Sequence, residues 1–140
     1  MIYGIGIDIE EVSRMKAVIS GRGRFLERFF SKEEYEMFEK KSFCAETVCG
    51  NFCAKEAFVK ALGTGFRKIV LSDIEVLRDE LGKPYYNFKG KLKDEIASKG
   101  YIVHLSLTHT KQTAAAVAII EKQDGYRVEV PNTADYPAID

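Results

Sequence analysis

No stretch of this chain is long and apolar enough to cross a bilayer, and its first residues lack the basic flank of a secretion signal. Net charge is zero, with 21 basic and 21 acidic residues, so no global basic field argues for nucleic acid. Cysteine is scarce: Cys44, Cys49 and Cys53 are an odd set crowded into ten positions, which argues against a disulfide framework. Cys49 and Cys53 stand four apart, but no histidine is near and no CxxC spacing occurs. They read as buried thiols used as small hydrophobes. Hydrophobic residues still make up 46% of 140, too many for a disordered chain and enough for one core. The expectation is a cytoplasmic protein with one folded domain, no membrane contact and no nucleic-acid partner.

The patterning is α+β, or a loosely alternating α/β arrangement. Ile5, Ile7 and Ile9 alternate with Gly4, Gly6, Asp8 and Glu10, the period of a strand over Ile2 to Ile9. The isoleucine face is expected to be core. The glycine face leaves room for something large and ends in carboxylates. Helices are expected from Val12 to about Ser20, from Lys32 to about Lys41 behind the capping box of Ser31 and Glu34, from Ala45 to Leu62, and over Lys91 to Lys99. Strands are expected at Ile74 to Arg78 and Tyr85 to Phe88 around the turn Asp79 to Pro84, and at Tyr101 to Thr108 and Thr113 to Glu121. From Gly125 the chain turns polar and holds two of its three prolines, the pattern of a loosely attached tail.

The chemistry concentrates in residues 51 to 65. Glu56 and Lys60 lie one helical turn apart and share a face, whereas Lys55 is rotated by about 100° and pairs elsewhere or faces solvent. The helix then stops on Gly63-Thr64-Gly65, where Gly63 suits a left-handed cap and Gly65 permits close backbone approach to a ligand. With Asp8, these residues suggest a hard cation held by two carboxylates beside a lysine, as in a phosphate-handling site.

Several segments then follow in a telling order. They are Gly6-Ile7-Asp8-Ile9 with Arg14, Ala54-Lys55-Glu56-Ala57 with Lys60 to Gly65, Gly82-Lys83-Pro84, and Ser106-Leu107-Thr108-His109-Thr110 with Ala114 to Ala118. The set resembles the holo-[acyl-carrier-protein] synthases, the small bacterial 4'-phosphopantetheinyl transferases, over residues 1 to 121. Residues 122 to 140 form a polar tail outside the resemblance. The resemblance implies an antiparallel sheet with one long helix, and a homotrimer with sites at subunit interfaces. It implies transfer of the 4'-phosphopantetheine arm of coenzyme A to a serine of apo-acyl carrier protein, with release of 3',5'-ADP, dependent on Mg²⁺. A non-catalytic module binding coenzyme A or acyl carrier protein is the alternative. By the same resemblance Asp8 and Glu56 are metal ligands, and Lys60 neutralises or protonates the leaving phosphate. Gly63, Thr64, Gly65, Lys83, Pro84, Ser106, Thr108 and His109 bind coenzyme A. The serine proton goes to a carboxylate or a metal-bound water.

Simpler readings stand beside these. Asp8 fits a helix N-cap, and Glu56 with Lys60 fits an exposed ion pair worth about 0.3–0.5 kcal/mol. Glu10 shares Asp8's strand face and is a possible third ligand, a place that Glu11 fits as well. Arg14, Arg22, Arg24 and Arg28, interleaved with Phe25, Phe29 and Phe30, suit docking of a small acidic carrier protein, or a solvated helix with an aromatic stripe inside.

Overall fold

The computed structural model describes residues 1–21, 24–63 and 68–123. Five strands and five helices run in the order β1 (Ile2–Glu11), α1 (Val12–Ser20), α2 (Arg24–Phe29), α3 (Lys32–Lys40), α4 (Ala45–Leu62), β2 (Ile74–Arg78), β3 (Pro84–Phe88), α5 (Gly90–Ser98), β4 (Tyr101–His109) and β5 (Thr113–Lys122). The strands form a three-stranded sheet, β1-β5-β4, and a two-stranded hairpin, β2-β3. Every pairing is antiparallel, which settles the architecture as α+β. No helix among the described residues is long and apolar enough to cross a membrane.

One face of the sheet lies on α4, and the small residues permit it. On β5, Ala114, Ala116, Ala118 and Ile120 are buried. On β1 the contact is closer still: a Cβ at Gly4 or Gly6 would fall on the carbonyl of Ala61 or Ala57. The large partner of the glycine face is therefore α4 itself. This reverses one expectation. Ile5, Ile7 and Ile9 lie on the outer face, 61%, 63% and 67% exposed, so within one chain they are not core. Strand period shows only that two faces differ; the helix takes the face on which backbone can meet backbone.

The N-terminus of α3 is fixed by its capping box. Ser31 Oγ accepts from the Glu34 amide and Glu34 Oε1 accepts from the Ser31 amide, each at 3.1 Å. Glu34 then turns inward. Lys55, fully buried on α4, donates to Glu34 Oε1 at 2.6 Å and to the carbonyls of Leu71 and Ile74 at 2.9 and 2.6 Å. All three ammonium protons are thus engaged, as burial of a lysine demands. Asn51 donates to Glu34 Oε2 at 2.9 Å and to the carbonyl of Val76 at 3.0 Å. This buried polar cluster ties α3 and α4 to β2, and Lys55 belongs to it rather than to solvent.

The segment around Phe25 forms helix α2, with Leu26 buried and Phe25 and Phe29 half-buried. Cys49 and Cys53 are buried as expected, whereas Cys44 is exposed ahead of α4, its thiol donating to Glu46 Oε2 at 3.1 Å. Lys122 still belongs to β5, and the Gln123 amide donates to the Gly100 carbonyl. Residues 124–140 lie outside the described ones.

Candidate active site

Asp8 meets α4 because β1 carries glycine at the positions on either side of the crossing. At the end of that face Asp8 is 8% exposed. Lys60 Nζ donates to Asp8 Oδ1 at 3.0 Å and to the Ile7 carbonyl at 3.1 Å. Lys60 therefore reaches across to the strand and makes no ion pair with Glu56, which rules out the simple i,i+4 reading. The helix-cap reading of Asp8 fails as well: Glu11 occupies the N-cap of α1, and its side chain makes no capping bond.

The electrostatics of this corner come from crowded acids. Burial raises the Glu56 pKa, the Asp8 charge raises it further, and Lys60 opposes both. Burial also raises Glu10, followed by the hydrogen bond that only its protonated form can give to Asp8, then by the charges of Asp8 and Glu56; Arg14 acts in the opposite sense. Lys60 is held above its ordinary range, first by its hydrogen bond to Asp8. Glu10 thus joins the Asp8 side, while Glu11 is exposed on the other.

These acids fit a hard cation. Asp8 Oδ2 is buried and has no hydrogen-bond partner among the described residues. A buried, unpaired carboxylate oxygen is costly unless something positive meets it. Among those residues no three metal-binding side chains converge on one point. Two carboxylates from the described residues suit Mg²⁺, an ion that keeps waters and shares substrate phosphate oxygens.

A second feature lies on the other half of α4. A cleft of about 230 Å³ is lined by Gly82 and Pro84 of the hairpin, Thr108 and His109 at the end of β4, and Thr47 and Gly50 of α4. Lys41, Glu46 and Arg78 also face it. Pro84, Thr108 and His109 are thereby brought together. Lys83 is exposed in the turn and does not line the cleft; its amide donates to Asp79 Oδ1 at 2.8 Å. Ser106 is exposed on the outer sheet face, opposite Val117, which is in turn opposite Ile7, so one chain does not bring it to Asp8. Gly63 ends α4 with φ of 74°, and Thr64 and Gly65 lie outside the described residues. Arg14, Arg24 and Arg28 are exposed, and Arg22 is also outside. Arg78 and Lys41 carried no motif; the one clue to Arg78 was its place opposite Pro84 across the hairpin.

The comparisons agree with this geometry. Residues 4–120 match the model of a family described as the 4'-phosphopantetheinyl transferase superfamily. The chain belongs to that superfamily. The holo-[acyl-carrier-protein] synthase of Clostridium botulinum (strain Eklund 17B / Type B) is 50% identical over 121 residues, covering 86% of this chain and 98% of the relative. The crystal structure of the synthase from Neisseria meningitidis is 34% identical with a TM-score of 0.79, covering 87% of this chain and all of that one. That of a synthase from Bacillus anthracis str. Ames, in complex with CoA (3',5'-ADP), is 35% identical with a TM-score of 0.73, covering 88% and 99%.

Proposed function

We propose that this phosphopantetheinyl transferase performs the reaction for which its relatives are named. It moves the 4'-phosphopantetheine arm of coenzyme A to a serine of apo-acyl carrier protein. The serine oxygen bonds to the phosphorus that bears the arm, the bridging P–O bond breaks, and 3',5'-ADP leaves with the bridging oxygen. Phosphoryl transfer asks a protein mainly for position and charge. The observation that carries the reading is the orphaned Oδ2 of Asp8 beside Glu56, Glu10 and Lys60.

Asp8 and Glu56 would hold Mg²⁺, which supplies charge neutralisation at the pyrophosphate. Lys60, half exposed and held by Asp8 and the Ile7 carbonyl, can swing onto the oxygen of the leaving phosphate. The serine proton passes to the acid cluster, where burial and neighbouring negative charge raise the Glu56 and Glu10 carboxyls and make them stronger bases than ordinary carboxylates. The nucleotide end of coenzyme A lies in the cleft of Pro84, Thr108 and His109.

The functional unit in this reading is a homotrimer in the cytoplasm. Its support is the exposed stripe of Ile5, Ile7 and Ile9, which a neighbouring copy would cover. Ser106 stands on that same face, so a ligand at the subunit boundary would meet it there. Arg14, next to the acid cluster, and Arg24 and Arg28 on α2 face the acidic carrier protein.

Mass spectrometry of apo-acyl carrier protein incubated with the enzyme, coenzyme A and Mg²⁺ tests the reading. A gain of one phosphopantetheine arm is expected. No gain, with coenzyme A still bound, would favour the non-catalytic module.

A further inference from the structure

Arg78 closes β2, opposite Pro84, and lines the cleft. Nη2 donates to Asn51 Oδ1 at 2.8 Å, and Nη1 lies 3.4 Å from the carbonyl of Leu77. Asn51 is fully buried, and its amide nitrogen is committed to Glu34 and to the Val76 carbonyl. That commitment turns its oxygen toward Arg78 and fixes the guanidinium without neutralising it. Among the described residues no carboxylate lies within ion-pair distance of Arg78. Asp79, next in sequence, spends Oδ1 on the amides of Leu81 and Lys83, and Glu46 across the cleft takes the Cys44 thiol. Arg78 is thus a partly buried cation held in place by a neutral amide. Burial disfavours its charge, and the Glu34 carboxylate behind Asn51, itself paired with Lys55, opposes that without an ion pair. Such a charge is costly until an anion meets it, and a planar fork matches phosphate.

Coenzyme A carries two phosphate centres, a pyrophosphate and a monoester on the ribose. Gly50 at the cleft and Lys60 at the acid cluster are ten residues apart on α4, about 15 Å by helical rise. One phosphate cannot touch both Arg78 and Lys60 of a chain. The pyrophosphate belongs with Lys60 and the carboxylates, which leaves the monoester for the cleft.

We propose that Arg78, positioned by Asn51, grips the ribose 3'-phosphate of coenzyme A and makes the enzyme discriminate against its 3'-dephospho form. The inference rests on the reading that the nucleotide end occupies this cleft. Lys41 lines the same space and adds a second positive charge, and His109 adds ring nitrogens that can hydrogen-bond a phosphate. Arg78 acts on affinity alone, because the 3'-phosphate keeps its charge throughout the reaction.

Calorimetry with 3',5'-ADP and with 5'-AMP tests this without turnover. The wild type should bind 3',5'-ADP more tightly. Arg78→Met should weaken 3',5'-ADP on the order of 10- to 100-fold, leave 5'-AMP within about twofold, and Arg78→Lys should recover part of the loss. In kinetics, the KM for coenzyme A should rise with kcat nearly unchanged, and values for 3'-dephospho-coenzyme A should not move. Equal losses for both nucleotides, or none for either, would overturn the role of Arg78. A wild type that binds 3',5'-ADP but never loads apo-carrier protein would instead overturn the transferase reading, and the nucleotide comparison would still decide Arg78. Circular dichroism of both variants guards against misfolding, with the lysine form the less disruptive of the two.

Discussion

Lys55 Nζ and Glu34 Oε1 meet at 2.6 Å with both side chains fully buried, one residue before the catalytic candidate Glu56. Two lysines five positions apart on α4 thus have opposite fates. Lys55 holds the core together, and Lys60 reaches the acid cluster. Removing one member of a buried pair leaves a stranded charge, at a cost of about 3–5 kcal/mol. Lys55→Met should therefore lower the urea midpoint severely and reduce activity only through loss of folded protein. Lys60→Ala should keep the wild-type midpoint and lower kcat on the order of 10²–10³, with a smaller change in the KM for coenzyme A. A Lys60→Ala enzyme with near-normal kcat would leave Lys60 as a mere partner of Asp8.

Asp8→Ala and Glu56→Ala should each reduce turnover at least on the order of 10² while the fold survives, since neither side chain fills the core. Mg²⁺ binding supplies a readout separate from catalysis. At 100 times its dissociation constant, Mg²⁺ stabilises a protein that binds it only when folded by about 2.7 kcal/mol. The wild type should show a rise in Tm with Mg²⁺ that EDTA reverses, and neither variant should show it. Full turnover by an EDTA-treated enzyme would dismiss the two-carboxylate site.

Most elements were legible because each carries a local signal. The Ser31–Glu34 capping box marked α3, Asp79 to Pro84 marked the hairpin, and the strand period marked β1. The in-order motifs marked Asp8, Glu56 and Lys60. What escaped was whatever depends on partners distant in sequence. Nothing local distinguishes the side of β1 that packs inward, since both isoleucine and glycine faces can serve a core. Lys55 could be read as pairing elsewhere or facing solvent, and only the fold names its partners, Glu34 and the carbonyls of Leu71 and Ile74. Arg78 gains meaning only through Asn51, 27 positions away.

Arg14 is exposed, yet close enough to influence Glu10. Arg14→Ala should raise the KM for the carrier protein roughly tenfold and leave that for coenzyme A alone. The salt dependence of carrier binding should become shallower, because one screened attraction is gone. Equal losses for both substrates would move Arg14 from the docking surface into the reacting centre.

Ile7 sits mid-stripe between Ile5 and Ile9, 63% exposed in the single chain. A charge there would be buried by any neighbour that covers the stripe. Ile7→Glu should convert a trimer to monomers in light scattering, with activity falling in step, while circular dichroism stays native. A wild type that is monomeric while fully active would remove the interface reading.

Lys89 donates to Glu33 Oε2 at 2.8 Å, and its Nζ lies 3.3 Å from Glu75 Oε2. The bond from Lys89 lowers the Glu33 pKa to about 2 from an ordinary 4.5. The same bond raises Lys89 above its ordinary 10.5. The signs follow from linkage: a carboxylate depressed on folding adds stability above its unfolded pKa and loses it as pH falls through the folded one. A lysine raised on folding adds stability below its unfolded pKa and loses it as pH rises through the folded one. The pair therefore stabilises fully between about pH 4.5 and 10.5. Glu33→Gln removes the exposed member and leaves Glu75 its bonds from Ser31 and Asn87. The wild type should exceed the variant in urea midpoint by a constant amount at neutral pH. That difference should shrink below pH 4.5, vanish once pH falls below about 2, and diminish in high salt, because the pair is at the surface. A difference that persists unchanged to the acid limit would assign the effect to side-chain packing on α3 and not to charge.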